Sequence, residues 1–173
     1  VMNEPQPEIE GYRLSRQQAD VFAAERRLRR PLYVRGTRRF ERRVELPRLR
    51  SALERLCARH EILRTVYRDV PGLELPLQVV EANPAYQLRE QPPGGAVDDA
   101  APDSGVRPAL SVLVSHADAG SDVQVVAPSS SLDSRSMLAL LAELEAAYDG
   151  RHEVDDLLQY VDYSEWQHEL VQS

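Results

Sequence analysis

The residues whose side chains could most directly take part in a reaction lie in one stretch, PSSSLDS, at positions 128 to 134. Its adjacent hydroxyls, on Ser129, Ser130 and Ser131, could serve as nucleophiles, but only beside a base that removes the hydroxyl proton. The sequence contains no lysine and neither a G-x-S-x-G nor an S-x-x-K motif. We therefore interpret these serines as turn residues that satisfy backbone groups, and we keep a serine hydrolase as an alternative.

The histidines and the cysteine offer little further chemistry. The four histidines, His60, His116, His152 and His168, match no zinc-binding spacing, so we predict no metal site and no cofactor. The single cysteine, Cys57, falls on the apolar stripe of a predicted helix, which indicates a buried and unreactive thiol. One cysteine cannot form an internal disulfide, and this favours a reducing, cytoplasmic setting.

The elements on either side of PSSSLDS would hold it rigidly. The stretch from Val123 to Val126 predicts a strand before the loop. After the loop, apolar residues from Met137 to Tyr148 recur at helical spacing, and Gly150 follows where a helix commonly ends. Asp133 suits the N-cap of this helix because its carboxylate can accept from the first backbone N–H groups.

The rest of the chain predicts further helices and strands. A capping box of Ser15 and Gln18 opens a helix through about Leu28. Other helices are predicted after Pro47 and from about Asp162, and strands at 32–43, 63–68, 75–80 and 110–116. Within these elements, Gly36 is interpreted as a bulge, and 63–68 with 75–80 as a hairpin. Residues 82–108 show no periodicity and predict a long, partly mobile surface loop.

This order of elements predicts an α+β fold, a two-layer sandwich with a mostly antiparallel sheet and helices on one face. The 173 residues suffice for one domain with its own core. We expect an N-terminal tail at 1–12 and a single domain at 13–173 that includes the 82–108 loop. No apolar run reaches the roughly 20 residues that span a bilayer, so we predict no membrane partner.

Charge is distributed unevenly along the chain. The net charge is −7, which argues against nucleic acid as a partner. Residues 26–43 hold nine arginines against the single acid Glu41, so this segment carries +8 and the rest of the chain −15. The segment is interpreted as a solvated helix end and an arginine-protected edge strand, or as a docking face for an acidic protein. For that docking face, Arg35, Arg38 and Arg39 are the candidates.

Four stretches together resemble the N-terminal half of a nonribosomal peptide synthetase condensation domain. YRLSRQQADVF, from Tyr12, is similar to the opening motif of that family, and RHEILRT, from Arg59, matches RHExLRT at every fixed position. LDSRSMLALLAELEAAY resembles the segment that begins at the end of HHxxxDG, and QYVDYSEWQ is similar to QYxDYxxWQ. The resemblance implies one of two lobes that are each similar to chloramphenicol acetyltransferase, with the reaction centre between lobes.

The chain departs from this family at the residues that carry the reaction. With Asp133 on the motif aspartate, Pro128 and Ser129 stand in place of the two histidines, and Ser134 in place of the glycine. In the family, the second histidine is credited with assisting amide-bond formation between carrier-bound substrates. Serine cannot replace it as a base, because the hydroxyl pKa lies far above neutral whereas that of imidazole lies near 6.5. The resemblance implies the fold and the pathway, and the loop argues against the reaction, so we expect the chain not to be catalytic by itself.

The resemblance also implies roles for other residues. Arg59 and Arg64 are expected to be structural, and Arg64 is expected to form a partly buried ion pair with Asp133. The aromatic residues of QYVDYSEWQ are expected to pack in the core or against a second lobe, or to contact a partner: Tyr160, Tyr163 and Trp166.

Two functions follow from these expectations. The first is a truncated, non-catalytic condensation-like domain that acts through contacts with adenylation, carrier or tailoring proteins of a nonribosomal peptide pathway. Such a lobe is expected to have its exposed apolar surface covered by a second copy in a homodimer, by an adenylation domain or by another partner. The alternative is the N-terminal portion of a larger condensation domain that contributes to amide-bond formation between carrier-bound substrates. An unrelated enzyme or a nucleic-acid module remains as a further alternative.

Overall fold

A computed structural model describes residues 10–83, 86–92, 110–151 and 157–172. Within these ranges the fold is α+β, with four helices and two sheets. The helices are α1 (Arg16–Leu28), α2 (Leu46–Arg59), α3 (Ser134–Tyr148) and α4 (Tyr160–Gln172), and a 3-10 turn covers Glu61–Arg64. The strands are β1 (Tyr33–Phe40), β2 (Thr65–Arg68), β3 (Leu77–Val80), β4 (Tyr86–Gln91), β5 (Leu110–Ala117) and β6 (Gly120–Pro128). None of the described helices is long and apolar enough to cross a membrane.

The strands form a four-stranded sheet and a separate two-stranded ribbon. The order in the larger sheet is β1-β6-β5-β4, in which β6 pairs antiparallel with both β1 and β5, and β4 pairs parallel with β5. The ribbon is the antiparallel pair β2 and β3, which confirms the predicted hairpin. The mostly antiparallel α+β fold is therefore confirmed.

The core lies between the larger sheet and the pair of helices α2 and α3. Alternate residues of β5 and β6 are fully buried, including Val112, Val114 and Val123, because successive side chains of a strand point to opposite faces. The helices contribute the apolar stripes that their spacing predicts, and Cys57 of α2 is buried among them. These two layers are the predicted sandwich.

The other two helices pack elsewhere. The Phe22 ring of α1 meets the Tyr67 ring of β2 edge to face, with 5.0 Å between ring centroids. From α4, Ser164 Oγ donates to Arg13 O at 2.7 Å, so this helix is bound to the segment before α1. Helices α1 and α4 thus extend the sandwich around the β2–β3 ribbon, and the capping box of α1 forms as predicted.

The bulge predicted at Gly36 is wrong. Strand β1 pairs with β6 in unbroken register from Tyr33 opposite Pro128 to Phe40 opposite Ser121. The glycine instead allows close packing of α3. A Cβ at this position would lie 2.6 Å from Leu141 Cδ1 and 2.7 Å from Met137 Cγ.

The long loop predicted at 82–108 is also partly wrong, because β4 occupies residues 86–91 of it. Its sequence, YQLREQ, lacks clear apolar alternation, and β4 is an edge strand of the sheet, where a weak pattern suffices. Residues 84–85 and 93–109 lie outside the described residues, as do 1–9 of the predicted tail. Tyr12 of that tail forms an antiparallel bridge with Gln78.

Candidate functional site

The PSSSLDS loop joins the end of β6 to the start of α3 and lines an open groove of about 720 Å³. Helices α1 and α3, the 3-10 turn and the start of α4 form its other walls. The residues that line this groove include Gln17, His60, Ser129, Ser130, Ser131, Asp133, Glu143, Leu158, Gln159, Tyr160 and Tyr163. This groove is concave and contains the serine-rich loop, so it is the candidate functional site.

Backbone hydrogen bonds fix the path of the loop. Ser129 N donates to Leu32 O at 2.9 Å, next to the last paired residues of β1 and β6. Ser131 N and Leu132 N both donate to Pro128 O, at 2.9 and 3.2 Å. The loop is therefore a tight, hydrogen-bonded turn, as its composition predicts.

A buried polar network ties the same loop to α1 and the ribbon. Ser130 O accepts from Tyr67 Oη at 2.8 Å and from Gln18 Nε2 at 3.2 Å. Gln18 Nε2 also donates to Gln78 Oε1 at 2.8 Å. Burial raises the pKa of Tyr67, so its hydroxyl remains a donor at neutral pH. The polar groups behind the loop are therefore occupied by hydrogen bonds that stabilise the fold.

Among the described residues, no hydrogen bond joins a histidine or a carboxylate to the side chains of the loop serines. Ser131 Oγ lies 3.3 Å from Tyr67 Oη. The three histidines that the structure describes, His60, His116 and His168, form their side-chain hydrogen bonds with other residues. The geometry therefore gives no support to a nucleophilic serine in this loop.

A serine, a histidine and a glutamate do line up at another place, which sequence spacing did not reveal. His116 lies between Ser121 Oγ, 2.8 Å from its Nδ1, and Glu90 Oε1, 3.0 Å from its Nε2. Ser121 is fully buried, and its Oγ accepts from Val44 N at 2.9 Å. No substrate can reach this hydroxyl, so the chain of contacts is structural and joins β4, β5 and β6 to the segment before α2.

Asp133 caps α3 as predicted. Its Oδ1 accepts from Ser136 N at 2.7 Å, and this hydrogen bond, with further donors in the same turn, lowers the carboxyl pKa. Ser134, which the resemblance places at the motif glycine, is the first residue of the helix and is exposed. The aspartate therefore has a local structural role in the described structure.

The predicted ion pair between Arg64 and Asp133 is wrong. Arg64 Nη1 donates to Glu81 O at 2.8 Å, and Nη2 donates to Glu61 Oε1 at 3.1 Å. The 3-10 turn also places Arg64 O as acceptor for Glu81 N, at 2.9 Å. The arginine thus binds the segment after β3, while Asp133 is occupied by the backbone of its own helix.

The amide of Gln159 joins two of the stretches that carry the family resemblance. Its Nε2 donates to Arg59 O at 3.1 Å, and its Oε1 accepts from Glu61 N at 3.0 Å. RHEILRT and QYVDYSEWQ are therefore in direct contact beside the groove. The structural role assigned to the Arg59 side chain remains a prediction.

One ionisable pair in the groove was missed by sequence reasoning. His60 Nε2 lies 2.6 Å from Glu143 Oε2, and both side chains are partly buried. The two residues are far apart in the sequence and belong to different elements, so no local signal could pair them. Their bond links the end of α2 to the middle of α3 across the groove wall.

The three candidate aromatics lie on α4 and differ in exposure. Tyr160 Oη is 2.7 Å from Ser15 Oγ, and burial raises the pKa of this tyrosine. Tyr163 Oη accepts from Gln167 Nε2 at 2.7 Å. Trp166 is 53% exposed, so it is available for contact rather than committed to the core.

The three candidate arginines all lie on the edge strand β1 and are exposed. Arg38 forms an ion pair with Glu145, and Arg39 forms one with Asp122 at 3.1 Å. Two of the candidates, Arg38 and Arg39, are therefore bound within the chain, and the role of Arg35 as a docking residue remains a prediction.

Comparison with solved structures returns condensation-like domains of nonribosomal peptide synthetases. The X-domain from teicoplanin biosynthesis has a TM-score of 0.72 and 23% identity over 98% of this chain and 40% of that chain. The same domain in complex with OxyB has a TM-score of 0.72 and 20% identity, covering 99% and 42% of the two chains. The starter condensation domain of rhizomide synthetase RzmA has a TM-score of 0.74 and 15% identity, covering 95% and 44%.

These similarities establish the fold. The chain has the fold of one lobe of a condensation-like domain, as the resemblance implied, and it spans about two fifths of the length of the X-domain structure. Protein-family models gave no match, and a search of curated proteins gave none either.

Proposed function

We propose that this chain is a condensation-like lobe that acts by protein contact in nonribosomal peptide biosynthesis and does not catalyse amide-bond formation itself. The observation that carries the proposal is the loop at positions 128 to 134. Ser129 N binds the loop to Leu32 O, and Asp133 caps the helix that follows. By the family resemblance, Pro128 and Ser129 stand where the two motif histidines are expected. The loop is ordered, and neither of these two residues offers a side-chain base.

The imidazole of His60 does not replace the missing base. It lies in the groove, but its Nε2 is held at 2.6 Å from Glu143 Oε2 on the wall formed by α3. No hydrogen bond joins His60 to the loop in the described structure. A catalytic base must reach the proton that it removes, and His60 is placed to brace two helices.

Recruitment of a tailoring enzyme is the contact that the comparisons favour. The teicoplanin X-domain, similar to this chain over its whole described fold, forms a complex with OxyB. By this similarity, we assign the chain a partner among the tailoring, adenylation or carrier proteins of its pathway. The cytoplasmic setting indicated by the single cysteine belongs to the same proposal.

A second candidate is the N-terminal portion of a larger condensation domain. Coverage of about two fifths of the X-domain chain favours it, since a second lobe would complete the groove. In that case the missing histidines would still remove the base, and chemistry would depend on groups outside this chain. An open reading frame that continues into a second lobe would favour this candidate.

Binding to purified pathway proteins tests the proposal. The chain is immobilised and challenged separately with the adenylation, carrier and tailoring proteins encoded beside its gene. We expect a stable complex with at least one of them. Failure of every pathway protein to bind would overturn the proposal.

A further inference from the structure

We propose that the C-terminal end of α1 and the adjacent turn between β2 and β3 form a docking surface for an acidic segment of a partner protein. This surface, called the basic patch below, comprises Arg26, Arg27, Arg29, Arg30 and Leu73. The inference rests on the proposed function and deepens it, because it names the chemistry of the partner and the place where the partner binds.

Several arginines of the segment 26–43 already form ion pairs within the chain, which makes them unsuitable as docking residues. Arg38, Arg39 and Arg42 form ion pairs with Glu145, Asp122 and Asp149, respectively. Each of these arginines has a carboxylate of this chain beside it, so its charge is largely neutralised locally. These three arginines of the β1 half are therefore poor docking residues.

Among the described residues, the arginines at the end of α1 are not neutralised by ion pairs in this way. The side chains of Arg27, Arg29 and Arg30 are exposed, and none of them forms an ion pair with a described residue. Arg26 binds the main-chain oxygen of Glu74, which is a neutral acceptor. Four positive charges thus lie within five positions at one end of one helix.

An exposed apolar residue lies next to these charges. The contact of Arg26 with Glu74 places the β2–β3 turn beside the end of α1, and Leu73, the neighbour of Glu74, is 52% exposed. The turn is ordered by the bond from Leu73 N to Val70 O at 3.1 Å. Arginine is enriched at protein interfaces, and Leu73 supplies exposed apolar surface beside these arginines.

The chemistry of this surface selects an acidic protein segment over a nucleic acid. The chain outside residues 26–43 carries −15, which would repel an extended polyanion beyond the basic patch. A short segment with carboxylates around one apolar side chain would meet the arginines and Leu73 without approaching the acidic remainder. Complementary charge would also accelerate and orient the encounter.

Fluorescence anisotropy with a defined probe tests the basic patch. The probe is a fluorescein-labelled helical peptide of glutamate and alanine with leucine at every fourth position. The test variant combines Arg27→Glu, Arg29→Glu and Arg30→Glu. The matched control combines Arg43→Glu, Arg89→Glu and Arg135→Glu, which changes the net charge equally at exposed arginines elsewhere.

We expect the test variant to bind the peptide at least about tenfold more weakly than the wild type, because three exposed charge pairs together contribute about 1.4 kcal/mol. The control should lose much less affinity, and added salt should weaken wild-type binding. Circular dichroism confirms folding, and Arg→Gln at the same three positions should give an intermediate loss without charge repulsion.

Equal losses of peptide affinity in the test and control variants, or no loss in either, would overturn the inference. Tighter binding of a single-stranded DNA oligonucleotide than of the peptide would also overturn it.

The pathway partner is then tested with the same variants. A partner complex that survives the test variant overturns the basic patch and leaves the proposed function standing. Absence of any partner complex with the wild type overturns the proposed function, whereas the peptide still reports on the basic patch.

Discussion

Asp133 holds the start of α3 through a charged hydrogen bond from Ser136 N at 2.7 Å. We predict that Asp133→Ala lowers the free energy of unfolding by about 1 kcal/mol, the usual effect of losing an N-cap, whereas Asp133→Asn retains most of the cap. Urea unfolding at neutral pH measures both. An Ala variant as stable as the wild type would contradict the capping role.

The same residue predicts a pH dependence. The pKa of Asp133 is lowered from its ordinary 3.8 because the carboxylate accepts from Ser136 N, so the folded state favours the charged form. Its contribution is complete at neutral pH and is lost as pH falls below about 4 through the folded pKa. As pH falls below about 4, the free energy of unfolding should therefore decrease less for Asp133→Asn than for the wild type. Thermal melts at several pH values measure this difference.

Cys57, unlike the exposed Asp133, is a core residue. It is fully buried, and burial raises the pKa of its thiol to about 11. We predict that the native protein does not react with Ellman's reagent at pH 8, and that it reacts fully after denaturation. Rapid reaction of the native protein would mean that α2 opens away from the core.

Local signals account for the residue predictions that succeeded. The Asp133 cap and the burial of Cys57 follow from a few neighbouring residues, and the structure confirms both. The Arg64–Asp133 pair failed because it depends on how distant segments meet. The 3-10 turn directs Arg64 to the main chain of Glu81, a neutral acceptor that leaves no mark in the sequence.

At the level of secondary-structure elements, the packing of α3 on β1 depends on Gly36. A Cβ there would lie 2.6 Å from Leu141 Cδ1 and 2.7 Å from Met137 Cγ. We predict that Gly36→Ala destabilises the protein by about 1–3 kcal/mol through overpacking. Thr37→Ala, on the exposed side of the same strand, should stay within about 0.5 kcal/mol of the wild type.

A double-mutant cycle gives the sharper form of this prediction. Met137→Ala removes one of the two side chains that a Cβ at position 36 would meet, so the two changes together should cost less than the sum of their separate effects. Chemical denaturation of the four proteins measures the coupling. Simple additivity would show that β1 and α3 do not meet as described.

Elements with strong periodicity were predictable, and those defined by their neighbours were not. Helices α1 and α3 follow from apolar spacing and N-caps, and α2 follows from apolar spacing after Pro47. Strand β4 was missed because it is an edge strand whose partner, β5, lies beyond a long intervening stretch. The role of Gly36 was misjudged because a bulge and a close helix contact both favour glycine in a strand.

For the molecule as a whole, large apolar side chains remain exposed beside the groove and on α4. Leu158 is 76% exposed and Trp166 53%. We predict that the isolated chain forms a homodimer at high concentration, and that Leu158→Asp with Trp166→Ser shifts it to the monomer. The control Val70→Asp, at the β2–β3 turn, should leave the dimer unchanged. Light scattering that shows a monomer for the wild type at every concentration would mean that the lobe is suited to stand alone.

Amide-bond formation by the chain itself tests the central claim most directly. Carrier proteins loaded with donor and acceptor aminoacyl groups are mixed with the purified chain, and mass spectrometry follows the carrier-bound dipeptide in a single turnover. We predict no product above the uncatalysed background, because Pro128 and Ser129 offer no base. The variant with Pro128→His and Ser129→His should also form none, since the open groove does not enclose the reactants. Product that wild type forms and Ser129→Ala abolishes would contradict the account.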